Sequence, residues 1–293
     1  MNKKQIKRFT EKILLIRKFE NLLLTLFRSG YIKGTTHTCN GQEATPVICL
    51  NKTEKEDCVV SNHRSHGHFL SYSNLAEELL LELLGRDDGV CKGIAGSQHI
   101  HYRNFFSNGI LGNLVPMGVG LALSKKITGE KGTVYIFLGD GTFGQGVVYE
   151  SLNIASIKKL KCMFVVENNR IAQTTPIENH LAGDISKRFE SFGIKTFKTN
   201  SFDILSLNNT FEKAKKFIKN NKRPCSIIVE TYRFNAHSKG DDTRKKSYIE
   251  KIRKQKDPID FLKKKLSNET FNKIQKNISS RLNLICEKHN LKI

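Results

Sequence analysis

The sequence predicts a doubly wound α/β fold: a mostly parallel sheet with helices on both faces. Two segments, TVYIFLGD and CMFVVEN, are apolar runs of strand length without polar alternation, as strands covered on both faces are. A helical stretch over residues 145–159 separates them and makes a β-α-β unit. A further helix over 203–220 and a further apolar run, CSIIVETYRF, continue the pattern.

The elements follow in order. Ile6, Phe9, Ile13, Ile16, Phe19, Leu23, Leu26 and Phe27 recur at steps of three and four, which predicts an amphipathic helix over 4–29, stopped at Ser29-Gly30. Residues 31–112 are dense in Gly, His, Ser and Asn and read as loop, interrupted by one helix over 75–84. Long polar loops in a compact domain are disordered or functional, and this glycine and histidine content points to function. Residues 115–127 read as a helix with a small-residue face of Gly118, Gly120 and Ala122, suited to close packing. The strands of the β-α-β unit come next, and residues 245–293 read as a C-terminal helical extension. Residues 1–293 are thus expected to form one domain with helical additions at both ends, within reach of a single large core.

Composition excludes several classes. No apolar run reaches the 18 residues or so that a membrane span needs. The basic start, MNKKQIKRFT, lacks the apolar core of a signal peptide, so a cytoplasmic protein is expected. The seven cysteines are scattered without a C-x-x-C pair and read as reduced core filler. The formal charge is +21, and from Lys187 onward 27 lysines and arginines face 11 carboxylates. A nucleic-acid surface is one reading of that excess. The patterns KAKKFIKNNK and FLKKKL lack interleaved aromatics, which favours solvated helix faces.

In open α/β sheets, ligands sit at the carboxyl ends of the strands. Gly139-Asp140-Gly141 ends the first strand and Glu167-Asn168-Asn169 the second. One crossover separates them, so Asp140 can offer a carboxylate oxygen and Asn169 an amide oxygen to one hard cation such as Mg²⁺, which completes its shell with phosphates and water. A rival reading takes Gly139, Gly141 and Gly144 as a G-x-G-x-x-G nicotinamide fingerprint, with Glu167 as the ribose acid. Asp140 would then put a negative charge where the dinucleotide diphosphate must lie, so the metal–diphosphate reading is preferred.

GDGTFGQG with the following Asn pair resembles the thiamine diphosphate motif. Agreement extends through THTCNGQEA, HRSHGH, KGIAGSQHIH, NGILGNLVPMGVGLA, VVENNR, ETYRFNAHSKGDD and KDPI. In this order, over nearly the whole chain, these resemble the alpha subunit of the decarboxylating component of 2-oxoacid dehydrogenase complexes, of pyruvate, branched-chain and acetoin types. The resemblance implies thiamine diphosphate and Mg²⁺ as cofactors. It implies Asp140 and Asn169 as side-chain metal ligands and the carbonyl of Ile171 as a third. Gly141 and Thr142 would present N–H groups to the diphosphate, and Arg64, beside His63, would pair with it. Gly109 and Leu111 would flank the aminopyrimidine side, with Leu111 holding the cofactor bent. His237 would stand at the reactive end as a catalytic group. His99 and His101 fall where branches of the family each place one histidine, and Ser238 matches a phosphorylation site of some relatives.

The departures bear on the substrate. His63 replaces a usual Tyr, although acetoin-type chains carry His-Arg there, and Asn235-Ala236 replaces His-Gly before His237. The family's catalytic carboxylate lies in a second domain for which this chain has no room. The resemblance therefore implies a beta subunit that supplies a glutamate in an α2β2 assembly; residues 4–29 and 115–127 are the expected interface elements. It also implies acyl transfer from a 2-oxoacid to a lipoyl-bearing acyltransferase. An acetoin dehydrogenase alpha subunit and a split transketolase-type subunit are the alternatives.

Overall fold

The structure, a computed structural model, describes residues 1–238 and 240–292. In chain order, α1 (Lys3–Arg28), α2 (Ala44–Cys49), β1 (Cys58–Ser61), α3 (Ser65–Ser73) and α4 (Ala76–Leu83) lead to a short hairpin of β2 (His101–Tyr102) and β3 (Phe105–Ser107). α5 (Leu114–Thr128), β4 (Val134–Gly139), α6 (Gly146–Ile157) and β5 (Cys162–Asn168) follow. A small pair, β6 (Ile171–Ala172) and β7 (Thr175–Pro176), precedes α7 (Ile185–Glu190), β8 (Lys195–Asn200), α8 (Ile204–Asn221) and β9 (Cys225–Glu230). α9 (Lys246–Lys256), α10 (Pro258–Lys265) and α11 (Asn268–Lys288) close the chain.

The main sheet has the order β2-β3-β1-β4-β5-β9-β8, and only the β2–β3 pairing is antiparallel. Successive side chains of a strand point to opposite faces, and here they feed two cores. Tyr135, Phe137, Met163, Val165, Ile227 and Val229 join residues of α1, α2, α8 and α11. Val134, Ile136, Leu138, Phe164 and Val166 join residues of α5, α6 and α7. That is the doubly wound arrangement expected from the two apolar strand patterns.

α1 starts at a capping box: Gln5 N–H donates to the Asn2 side chain, and Asn2 N–H to the Gln5 side chain. Its apolar stripe is buried within this chain, where α1 packs against α2, α3, α10 and α11. Fully burying a side chain such as Phe9 or Phe19 is worth about 1.5–3 kcal/mol. The interface expected of residues 4–29 therefore has no free apolar stripe to use.

Residues 31–112 are more regular than expected of a loop. They contribute β1 to the middle of the sheet and add α2 and α3. β1 is four residues long, and α3, SHGHFLSYS, buries polar as well as apolar groups, so neither shows a hydrophobic period. The irregular part, residues 86–96, is organised by one carboxylate: Glu82 accepts from the N–H groups of Cys91, Gly93, Ala95 and Gly96 at 2.7–3.1 Å. β8, KTFKTN, is likewise absent from the sequence pattern; as an edge strand it has one neighbour, and Phe197 is its one apolar residue. On α5, Gly118 and Ala122 are buried, and a Cβ on Gly118 would lie 2.5 Å from Ile136 Cγ1. Gly120, expected on the same face, is exposed on the other side. Three apolar side chains, Ile127, Ile154 and Ile157, stand exposed on α5 and α6.

Candidate cofactor site

Because β1, β4, β5 and β9 run parallel, their carboxyl ends converge. Asn62 to Arg64 follow β1, Asp140 to Thr142 follow β4, Glu167 and Asn169 come from the end of β5, and Arg233 and His237 follow β9. All line one cavity of about 310 Å³, together with Leu111 and Ile171. The register pairs Gly139 with Glu167, so the two polar clusters are neighbours.

After β4 the chain makes a tight 3₁₀ turn, Asp140–Gly144, and α6 begins only at Gly146. Asp140 is 2% exposed. Its Oδ1 accepts from Gly141 N–H at 3.1 Å, while Oδ2 is buried with no partner among the described residues. Burial holds this carboxyl above the usual range, opposed by the positive potential of His180 and by N–H groups that include that of Ile171. Asn169 Oδ1 accepts from Ile171 N–H at 3.1 Å and keeps a second lone pair. Asp140, Asn169 and Ile171 thus line one cavity, and an unpartnered carboxylate with an amide oxygen suits a hard cation. Gly141 is constrained as well, since a Cβ there would lie 2.7 Å from the Cβ of Ala172.

The opposite charge lines the same cavity. Arg64 is 4% exposed and has no carboxylate partner among the described residues. It donates to Thr38 O at 2.8 Å, to His237 Nδ1 at 3.0 Å and to His237 O at 3.4 Å. Burial, with Arg233 adding positive charge, pushes Arg64 down to about 9. Arg233, pushed down to about 10 by burial and by Arg244, donates to Gln173 O at 2.9 Å. Buried charges without counter-ions are costly. A metal–diphosphate unit supplies both, a cation for Asp140 and phosphate oxygens for the arginines.

Three imidazoles adjoin Arg64. The His37 ring centroid lies 4.7 Å from those of both His63 and His237, which are 5.4 Å from each other. Their nitrogens could gather around an ion, but the arginine beside them repels cations as it repels protons. A guanidinium only donates, so His237 Nδ1 accepts and its proton resides on Nε2. Burial first, then Arg64, pushes His37 down to about 3 and His237 to about 4, and lowers His63 well below the imidazole range. All three are therefore neutral at physiological pH. Because their folded values are depressed, the unfolded chain takes up protons first as pH falls. Their contribution to stability is complete above about pH 6.5 and is lost progressively toward about pH 4. The melting temperature of the cofactor-free chain should fall between pH 7 and 5 more steeply than that of a His37→Asn, His237→Asn variant; parallel profiles would contradict the neutral cluster.

Of the residues expected from the sequence, His63, Arg64, Leu111, Asp140, Gly141, Thr142, Asn169, Ile171 and His237 line the cavity. Gly109 does not; a Cβ on it would press on Gln98. His99 and His101 are exposed and lie outside the cavity, with His101 stacked on Phe106. Ser238 is held by Asp241, its N–H donating to Oδ1 at 3.0 Å. Sequence reasoning missed Gln42, Arg233 and His37 as site residues. Each sits inside a motif that drew notice, THTCNGQEA or ETYRF, but only folding brings those motifs against the β4 and β5 ends.

A sheet of this topology with a polar crevice at its strand ends is that of an α/β cofactor-binding enzyme. The profile of one family, described as "Dehydrogenase E1 component", matches residues 11–289, and the chain belongs to that family. It is 34% identical over 264 residues to the pyruvate dehydrogenase E1 component subunit alpha of Rickettsia bellii, covering 88% of this chain and 81% of the relative. The subunit of the same name from Rhizobium meliloti is likewise 34% identical over 264 residues, covering 88% of this chain and 76% of its own. The human somatic mitochondrial form is 32% identical over 265 residues, 89% of this chain and 67% of that one. A solved thiamin diphosphate-dependent enzyme from Mycobacterium smegmatis superposes with a TM-score of 0.47 at 21% identity, over 68% of this chain and 33% of that one. Membership makes the chain an oxidoreductase of the thiamine diphosphate-dependent kind, the alpha-type subunit of a 2-oxoacid dehydrogenase.

Proposed function

We propose that the chain takes part in oxidative decarboxylation of pyruvate, binding the diphosphate of its cofactor through Mg²⁺ held by Asp140, Asn169 and the carbonyl of Ile171. The observation that carries this is the charge in one cavity: a buried carboxylate oxygen without a partner and buried arginines without counter-ions, among the described residues. Bound thiamine diphosphate supplies an electron sink for loss of CO₂. The chain's residues hold and orient it. Arg64 and Arg233 take phosphate oxygens, Gly141 and Thr142 offer N–H groups, and Leu111 props the ring end. His237 presents Nε2–H as a neutral donor to charge developing on the substrate oxygen.

The catalytic carboxylate comes in this reading from a beta-type chain in an α2β2 assembly. The exposed Ile127, Ile154 and Ile157 on α5 and α6 support a contact on that side. A lipoyl-bearing acyltransferase accepts the acyl group, and the assembly works in the cytoplasm. No helix among the described residues is long and apolar enough to cross a membrane. The test is co-expression with the beta-type chain followed by thermal melting. Thiamine diphosphate with Mg²⁺ at about 100 Kd should stabilise the complex by about 2.7 kcal/mol, and EDTA should remove the effect. Asp140→Ala and Asn169→Ala should each abolish it; retention in both overturns the metal assignment. Turnover of pyruvate ahead of other 2-oxoacids and of acetoin is expected with an artificial electron acceptor. Turnover by this chain alone would overturn the need for a partner.

A further inference from the structure

Glu167 is a buried carboxylate to which the proposed chemistry gives no role. It pairs in register with Gly139, the residue before Asp140, and lies two residues before Asn169, which follows directly on the end of β5. Like both of them, it lines the cavity, and it is 3% exposed. One of its oxygens is anchored: Oε2 lies 3.2 Å from His68 Nε2. His68 is itself fixed, with Nδ1 at 2.6 Å from Ser61 Oγ and its ring stacked on Phe137 at 4.1 Å between centroids. Three elements, β1, α3 and β4, therefore hold one carboxylate in place.

The other oxygen, Oε1, is closed off from solvent and has no hydrogen-bond partner among the described residues. Asp140 Oδ2 is in the same condition in the same cavity. A carboxylate needed only to orient His68 would be as well served by a neutral amide, without the cost of a buried charge. Two buried carboxylates each with a free oxygen are instead reconciled by a cation between them. Mg²⁺ is held by few protein oxygens and keeps bound water, whose protons need acceptors.

We propose that Glu167, clamped by His68 and Ser61, is a positioning residue of the metal–diphosphate site. Its free oxygen accepts a hydrogen bond from water in the shell of the bound divalent cation, and its charge faces that cation. The assignment rests on the reading of the cavity as a metal–diphosphate site, and outer-shell partners of this kind govern metal affinity by about 10- to 100-fold.

The test uses the complex with its beta-type chain, with Mg²⁺ titrated calorimetrically at saturating thiamine diphosphate and the cofactor-free complex melted in parallel. Glu167→Gln keeps the volume and an oxygen facing His68 but removes the charge and turns an amide donor into the cavity. The Mg²⁺ Kd should rise about 10- to 100-fold, while the cofactor-free melting temperature stays level or rises. His68→Phe, which keeps a ring over Phe137, frees the carboxylate and should raise the Kd less. An unchanged Kd in Glu167→Gln overturns the proposal, and so does a fall in cofactor-free melting temperature that parallels the affinity loss. A wild-type complex that binds thiamine diphosphate without any divalent cation would overturn the metal reading itself, and this assignment with it.

Discussion

Replacing Arg17 with leucine is expected to lower the stability of the folded chain by about 3–5 kcal/mol, the usual cost of removing one partner from a buried ion pair. Arg17, on α1, is buried between two carboxylates from distant parts of the chain. Its Nε and Nη2 donate to Glu43, and Nη1 donates to Asp257 Oδ2 at 2.9 Å. Both carboxylates are also buried. Each also binds backbone, since Glu43 accepts from Gly41 N–H at 3.0 Å and Asp257 caps α10 through Ile259 N–H. Without the guanidinium, two carboxylates would remain in the interior facing one another. The loss is therefore in the charge rather than in packing, and Glu43→Leu added to Arg17→Leu should recover part of it. Equilibrium urea unfolding of the three proteins gives the comparison. A loss below about 1 kcal/mol in the single variant, as for an exposed pair, would show that the network is not buried in solution.

Legibility in the sequence divided along physical lines. β4 and β5 are covered on both faces, so their residues are apolar up to Glu167 and Asn168 at the end of β5, and they announce themselves. Their parallel pairing then follows from the single crossover, and with it the meeting of Asp140 and Asn169. β1 occupies an equally central place, yet its four residues carry no period that marks them out from the polar stretch around them. His37 and Arg233 are farther still from local reading. His37 follows α1 and Arg233 follows β9, and nothing near either reveals that both end beside Arg64. Gly109 shows the converse limit. Its motif matches, but the space beside it is filled by Gln98 in the chain by itself. The resemblance supplied roles for the motifs; the fold supplied the charge balance, in which Arg64 and Arg233 lack a carboxylate and Asp140 and Glu167 each keep one oxygen without a partner among the described residues.

Arg64→Lys is expected to weaken thiamine diphosphate binding by about two orders of magnitude at pH 8, although the charge is nominally retained. The reason lies in the environment that the side chain must survive. Burial and Arg233 push the guanidinium down to about 9, which still leaves it charged at neutral pH. A lysine begins about two units lower, and the same surroundings would depress it too, so a growing fraction would be uncharged as the solution turns alkaline. The ammonium also loses geometry. Arg64 donates at once to Thr38 O and His237 Nδ1 and still has N–H groups for a phosphate, whereas a lysine offers three donors from one atom. Loss of the bond to His237 would release that ring to either tautomer. Binding measured from pH 6 to 8 should therefore improve toward acid in the variant, while the wild type changes little. Arg64→Met, which cannot titrate, should bind weakly at every pH. A lysine variant whose affinity matched the wild type, or fell short equally at all pH values, would mean that the depressed charge at this position is not what selects arginine.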